Sequence, residues 1–391
     1  MSPPEPGYLP DRPRPAWFRT ALIALFIALL VSAFAGTFRT RREAPTRFEN
    51  RATAPLPDPP RTFSELRTYP ARFEQYFDDH FGWRSSLVRL DHIVEVIGFS
   101  VSPVSKVLIG KSGWLYFKGE DSKAFDEWYR GSEPLSDAEI ASLRDELLRR
   151  HDFLASMSIP FVVVVVPEKY SVYPEFLPNW AVRLTAQSSL DRIDAELTRH
   201  PRLRFIDLRA SLETGKDGER LYYQTDSHWN YVGASIGYAV MMREITRLLP
   251  GMKVAPVQRP LFVAGVDYYS GDLAQMLGLP GKLREDDIAP LGKILATPQS
   301  RCAQRDSAAE TPEVEIYVYR CANAPRFTAL VYRDSNAIPL IPMLAENFAR
   351  STFVSSVQLD PALVERLKPD IVIEELTERT LKLPAASPMR R

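Results

Sequence analysis

The spacing of apolar positions changes several times along the chain, and each spacing predicts a different element. From Thr20 to Phe38 no charge interrupts a run dominated by ALIALFIALLVSAFAG. Those nineteen residues, at ~1.5 Å rise each, make about 28 Å of helix, close to the ~30 Å hydrocarbon core of a bilayer. Residues 39–61 (RTRREAPTRFENRATAPLPDPPR) have no apolar period; basic and then proline-rich, they read as an extended linker. Between Pro70 and Phe99 apolar residues recur at helical spacing with a break at Gly82, which predicts two short helices. KVLIGKSGWLYF (Lys106–Phe117) predicts a hairpin turning at Lys111-Ser112-Gly113.

From Ser136 the pattern becomes that of an α/β domain. Ser136 and Glu139 form a capping box ahead of an amphipathic helix that runs to Met157. IPFVVVVVP (Ile159–Pro167) is a continuous β-branched run, as expected of a strand buried on both faces. A helix (Ser188–His200), a strand (RLRFIDL, Arg202–Leu208) and a helix (Tyr231–Leu249) follow. After a looser stretch come strands at EIYVY and RFTALVYRDS, a helix at IPMLAENFA and a strand at STFVSSV. The helix PALVERL and the strand DIVIEEL complete the series. Strands alternating with helices predict a mostly parallel sheet covered on both faces, with sites beyond the carboxyl ends of its strands. YYQTDSH and LVYRDSN are both expected at such ends.

Composition narrows the classes. Forty-nine basic and 49 acidic residues leave no net charge, and so no basic face for a nucleic acid. No internal repeat points to a solenoid or propeller. The two cysteines, Cys302 and Cys321, suit a disulfide in an oxidising compartment or two separate thiols. The apolar run admits two membrane-linked readings. Ala33-Phe34-Ala35 has the form of a signal-peptidase site, whereas the long leader before Thr20 favours a retained anchor. Arg39, Arg41, Arg42, Arg47 and Arg51 after the run outnumber Arg12, Arg14 and Arg19 before it, which by the positive-inside rule disfavours an exported domain.

Chemistry concentrates at two places. Asp226 and His228 lie two apart, so one carboxylate can hold one ring nitrogen and leave the other free. Ser335 follows a strand and precedes a helical turn, where free N–H groups can stabilise an oxyanion. A turn or cap is the plainer reading of either alone. With only five histidines and no H-x-H or HExxH, a metal site lacks ligands, and no metal or cofactor is expected. Asp272, in GDLAQML, reads as a helix N-cap.

TDSHWN, with RDSN downstream, resembles the alginate O-acetyltransferase family of the AlgJ/AlgX type: SGNH-hydrolase-like proteins whose Asp-x-His precedes the serine. FDDHFGWRSSLVRL, KVLIGKSGWLYF, VVVVVPEKYSVYPEFLP, GDLAQMLGL and KPDIVIEELTER resemble further blocks of that family, so the likeness runs from about Phe73 to Arg379. It implies an SGNH-like α/β domain over residues 62–391, after a short cytoplasmic tail (1–19), the anchor or uncleaved signal (20–38) and the linker (39–61). It also implies that Ser335 is the nucleophile, His228 the base and Asp226 its orienter. Two departures stand beside the serine: Arg333 where the family has glycine, and Asn336 where an aromatic is common. Arg333 and Asn336 are candidate substrate-binding residues. So are Trp229 and Tyr223, for which core or wall packing is the alternative.

The activity implied is O-acetylation of an extracellular polysaccharide, alginate-like or another exopolysaccharide, through an acyl-serine. The implied partners are a membrane-bound O-acyltransferase that delivers acetyl groups, the polysaccharide acceptor and the inner membrane, with the catalytic domain in the periplasm. In that compartment Cys302 and Cys321 would pair around a hairpin, a link that stabilises by about 3 kcal/mol when unstrained. A carbohydrate esterase with the same triad and a non-catalytic assembly protein are the alternatives.

Overall fold

The computed structural model describes residues 16–39, 54–254, 268–286, 303–310, 314–387 and 389. The chain divides into two compact units, Met1–Phe99 and Ser100–Arg391. In the first, α1 spans Ala16–Arg39. Over the described residues, no helix is long and apolar enough to cross a membrane, so the structure does not support the anchor expected at residues 20–38. α2 (Phe63–His80) starts before the expected Pro70 and carries that proline inside it. The reason is the cap: Thr62 accepts from Glu65 N at 3.2 Å, while the Glu65 carboxylate accepts from Arg61 N at 2.7 Å. α3 (Arg84–Ile93) follows the break at Gly82 and widens into a π turn that ends at Gly98. The two predicted helices are therefore present, but they cluster with the N-terminal unit rather than with the α/β domain.

The second unit opens with the hairpin β1 (Val107–Ile109) and β2 (Leu115–Phe117). Ser112 and Gly113 turn it with φ of +54° and +80°, a region that glycine enters without cost. α4 (Asp137–Ser156) carries the expected Ser136–Glu139 box. The other sheet-building elements are β3 (Phe161–Val166), α5 (Ser189–Leu197), β4 (Arg204–Asp207), α6 (Arg209–Gly215) and α7 (Tyr231–Leu248). Next come the short pair β5 (Tyr268–Tyr269) and β6 (Glu285–Asp286), with α8 (Asp272–Met276) between them. The chain ends with β7 (Ala303–Glu310), β8 (Glu315–Cys321), β9 (Thr328–Arg333), α9 (Ile341–Ala345), β10 (Arg350–Ser355), α10 (Pro361–Leu367) and β11 (Ile371–Thr377).

Seven strands form one sheet in the order β4-β3-β11-β9-β10-β8-β7. The first five are parallel, and β8 and β7 add an antiparallel edge. The sheet is thus mixed. Every residue of β3 and of β11 is buried, as strands covered on both faces require. β11 nevertheless contains Glu374 and Glu375. The first is neutralised by Arg150 of α4 at 2.5 Å, and Arg150 also holds Glu146 at 2.8 Å. Removing one partner from such a buried group leaves an uncompensated charge. Cys321 is disulfide-bonded; Cys302 lies outside the described residues.

The parallel strands β3, β9 and β11 end on one edge of the sheet, at Val166, Arg333 and Thr377. That edge carries Ser335.

Candidate active site

Ser335 stands two residues beyond β9, as the first residue of a 3-10 turn, Ser335–Ala337. Asp334 caps this turn and splits its carboxylate between two main-chain donors, Asn336 N at 2.8 Å and Thr377 N at 2.7 Å. The serine turn is thereby tied to the end of the neighbouring strand β11. As first residue of the turn, Ser335 has no partner within it for its own N–H, an orphan donor beside the hydroxyl.

The second part of the site is not at a strand end, contrary to expectation. β4 stops at Asp207, α6 intervenes, and TDSH lies in a loop leading to α7. A single bridge, Tyr222 to Trp229, pinches the loop, and Leu115 N of β2 donates to Gln224 O at 2.9 Å. Asn230 then starts α7 by accepting from Val232 N and Gly233 N. Asp226 and His228 thus reach the sheet edge from outside the sheet.

There the three residues meet. Asp226 Oδ1 lies 2.6 Å from His228 Nδ1 and also accepts from His228 N at 2.9 Å. His228 Nε2 lies 2.8 Å from Ser335 Oγ. A carboxylate only accepts, so Nδ1 carries the imidazole proton and Nε2 is left to take one from the hydroxyl. Burial alone would push Asp226 up, but its bonds to and attraction for His228, and the Tyr269 hydroxyl on Oδ2, hold it well below the usual carboxylate range. Burial pushes His228 down; the hydrogen bond and charge of Asp226, then the charge of Asp272, outweigh it and leave the imidazole raised. The arrangement can activate a hydroxyl nucleophile and stabilise the imidazolium that results.

Asp272 departs from its expected role. Gly271 is the N-cap of α8, without a side-chain bond, while Asp272 accepts from Ser227 N at 2.7 Å and from Ser227 Oγ. Its amide donates to Asp226 Oδ2 at 3.1 Å, and Oδ2 of Asp272 lies 3.7 Å from His228 Nδ1. Burial, and next the charge of Asp226, raise its affinity for a proton. Gly271 permits this approach: a Cβ there would fall 2.4 Å from Asp226 Cβ and 2.5 Å from its Cα.

The four candidate substrate-binding residues separate. Trp229 is buried and donates from Nε1 to Asn336 O at 2.8 Å, while Asn336 is buried and donates to Thr377 Oγ1 at 2.6 Å. These two lock the loop to the serine turn. Arg333 is also buried. Its guanidinium pairs with Glu315 of β8 at 2.5 Å and lies 5.5 Å from the centre of the Tyr317 ring. Arg333, Ser355 and Glu315 follow from the register as one row across β9, β10 and β8, so the arginine's ion pair lies on the antiparallel edge, while its Nη1 donates to Asp334 O at 3.4 Å. Buried polar groups require internal partners; Trp229 Nε1 and Asn336 Nδ2 have them, whereas Arg333 Nε is buried without one. Tyr223 is half-buried, with its ring 4.5 Å from that of Tyr269.

Sequence reasoning missed Tyr269, Glu285 and Lys169. Tyr269 and Glu285 had no local signal. Lys169 had one, a lone cation three residues after an all-apolar strand.

Residues 107–308 match the family described as SGNH hydrolase-like domain, acetyltransferase AlgX. Over 294 residues the chain is 24% identical to a Pseudomonas syringae pv. tomato protein named probable alginate O-acetylase AlgJ, covering 70% of this chain and 69% of that one. The structure of Bacillus cereus PatB1 with a sulfonyl adduct shares the fold at 15% identity, with a TM-score of 0.51 over 73% of this chain and 97% of that one. The O-acetyltransferase domain of Pseudomonas putida AlgJ is 20% identical, with a TM-score of 0.43 over 71% of this chain and 92% of that domain. The matched span covers the TDSH loop and more than half of the chain, which therefore belongs to the SGNH hydrolase-like acetyltransferase family of the AlgX and AlgJ type.

Proposed function

We propose that this protein O-acetylates hydroxyls of an extracellular polysaccharide through an acyl-serine formed on Ser335. The observation that carries the reading is the unbroken chain Ser335 Oγ, His228, Asp226, at 2.8 and 2.6 Å. In the first half-reaction Ser335 Oγ attacks the acyl carbonyl while His228 Nε2 takes the hydroxyl proton. The carbonyl oxygen becomes an oxyanion within reach of the Ser335 N–H. The bond from the acyl carbon to the donor then breaks, and the leaving group takes the proton from Nε2. In the second half, a sugar hydroxyl gives its proton to Nε2 and attacks the acyl-serine. The ester to Ser335 breaks, and Oγ recovers the proton.

Thr20–Phe38, within α1, serves as a single membrane anchor in this reading, with the second unit in the periplasm. The uncharged run in the sequence, and not the described helix, supports the anchor, and the disulfide at Cys321 supports an oxidising compartment. A membrane-bound O-acyltransferase supplies the acetyl groups, and a polysaccharide chain receives them. The relatives named for alginate support an alginate-like exopolysaccharide as acceptor. A reporter fused after residue 391 tests the topology: activity confined to the cytoplasm sinks it.

The chemistry is tested by giving the full chain 4-nitrophenyl acetate with and without oligosaccharide acceptors. Acetylated sugar is expected, falling by roughly a thousand-fold or more in Ser335→Ala. Acetate released at a rate that no acceptor changes would make the protein an esterase. Unaltered turnover in both Ser335→Ala and His228→Ala removes the site.

A further inference from the structure

Pro167, Glu168 and Lys169 leave the carboxyl end of β3 and turn into the protein, so that Lys169 is 2% exposed. Its ammonium has three hydrogens and three main-chain acceptors: Tyr223 O at 2.9 Å, Gln224 O at 3.1 Å and Asp226 O at 2.6 Å. The Trp114 and Tyr116 rings lie 5.6 and 5.4 Å from Nζ. Among the described residues no carboxylate forms an ion pair with it. A buried cation whose hydrogen bonds all go to carbonyls is costly, and burial, partly offset by the charges of Glu285, Asp226, Asp272 and Glu168, pulls this ammonium down to about 8. All three carbonyls belong to one loop, the one that presents Asp226 and His228.

The amide side of that loop is held by the opposite charge. Glu285 accepts from Gln224 N at 2.8 Å and from Thr225 N at 2.7 Å, and is itself paired with Arg220 at 3.1 Å. Lys169 in turn starts from a fixed base. Glu168 N donates to Glu378 at 2.9 Å, and the Glu168 carboxylate pairs with Arg379. Both partners directly follow β11, whose last residue, Thr377, is bonded to Asp334 of the serine turn. A continuous series of bonds therefore runs from the serine turn through the ends of β11 and β3 to the histidine loop.

We propose that Lys169 is the positioning residue of the site: its ammonium fixes the main chain from Tyr223 to Asp226 and so aims His228 at Ser335. The proposal rests on the reading of Ser335, His228 and Asp226 as a catalytic triad. A misplacement of about 1 Å between reacting groups costs on the order of a hundred-fold in rate. Lys169 touches no reacting atom, so kcat should change and substrate affinity should not.

The test uses the full chain with 4-nitrophenyl acetate. Lys169→Met, similar in length but without charge or donors, is expected to lose roughly 30- to 100-fold in kcat, with KM within about two-fold. Lys169→Arg, which keeps a cation and its donors, is expected to regain at least about ten-fold of that loss. A purely packing role predicts the reverse ranking, with Met better than Arg, and that result overturns the proposal. Wild-type kcat in Lys169→Met overturns it as well. If Lys169→Met fails to fold, Lys169→Gln, which keeps two N–H donors, is judged by the same kcat and KM. Ser335→Ala in the same assay separates the two levels: turnover surviving there defeats the triad itself, whereas its loss beside an unaffected Lys169 variant defeats only the positioning role.

Discussion

The serine and the histidine of this site are mounted in opposite ways. Ser335 continues directly from β9, a strand paired on both sides, and one capping carboxylate finishes its turn. Its position follows from the sheet. His228 and Asp226 sit in a loop whose shape depends on side chains from Lys169, Tyr269, Asp272 and Glu285, up to about 60 residues away along the chain. Backbone topology places Ser335; polar side chains place His228. Changes around the loop should therefore damage catalysis more than changes of similar size around the strand.

The largest such effect is expected at Asp226. Asp226→Asn keeps the shape and removes the charge, and the loss of the correct tautomer should lower kcat by roughly 10²–10⁴-fold. The pH profile carries the sign. A base must be neutral, so wild-type kcat/KM should rise with pH through the raised value of His228, above the ordinary imidazole value of about 6.5. Without the Asp226 charge, burial dominates and this limb should move to lower pH. Stability follows the same pair. The contribution of Asp226 is lost as pH falls through its depressed value, and that of His228 as pH rises through its raised one. The pair therefore stabilises most fully between about pH 4 and 6.5, the two unfolded values. An acid limb that stays put in Asp226→Asn would mean that Asp226 does not control the imidazole.

This contrast also explains how much could be read from the sequence. β3 and the β1–β2 hairpin are announced by local signals, an unbroken β-branched run and a Ser-Gly turn, because their formation depends on neighbours in the chain. The Ser136–Glu139 box is legible for the same reason. Ser335 was placed by its strand. The TDSH loop was assigned to a strand end because TDSH carries no local sign that α6 separates it from β4. Asp272 looked like a helix cap, since a short helix does begin there, but its carboxylate faces Ser227. Arg333 and Asn336 were read as lining the site because they neighbour the serine. One follows the pleat toward Glu315 and the other turns under Trp229, directions that depend on partners in other elements. The grips on the loop are pairings between distant polar residues, and a single sequence contains no period that reveals them.

Gly271 offers an intermediate test on the loop side. Its φ is ordinary, so the backbone does not demand glycine there. The demand comes from space, because an added Cβ would meet Asp226 N at 2.6 Å as well as its Cα and Cβ. These are main-chain and inner side-chain atoms that cannot swing aside. Gly271→Ala should push Asp226 from His228, lowering kcat by about 10–100-fold and stability by about 1–3 kcal/mol. Thermal melting with steady-state kinetics measures both. A variant that melts lower but keeps wild-type kcat would show that the loop tolerates displacement.

The smallest effect should come from the serine side, at Arg333. Arg333 adjoins Asp334, yet its guanidinium is engaged by Glu315 and the Tyr317 ring on β8. Arg333→Met keeps the aliphatic stem packed and gives up the ion pair and the ring contact. Glu315 is 36% exposed and can return to water, so the uncompensated-charge penalty of a fully buried pair does not arise. The loss should be about 1–2 kcal/mol of stability, the sum of an ion pair and a cation–π contact. kcat and KM should both stay within about two-fold of wild type, because the serine turn is held by the Asp334 carboxylate and Thr377, and the arginine adds only one long bond, from Nη1 to Asp334 O at 3.4 Å. A ten-fold fall in kcat in Arg333→Met would mean that the charge reaches the reacting atoms after all. The nucleophile would then depend on side-chain partners as much as the histidine does.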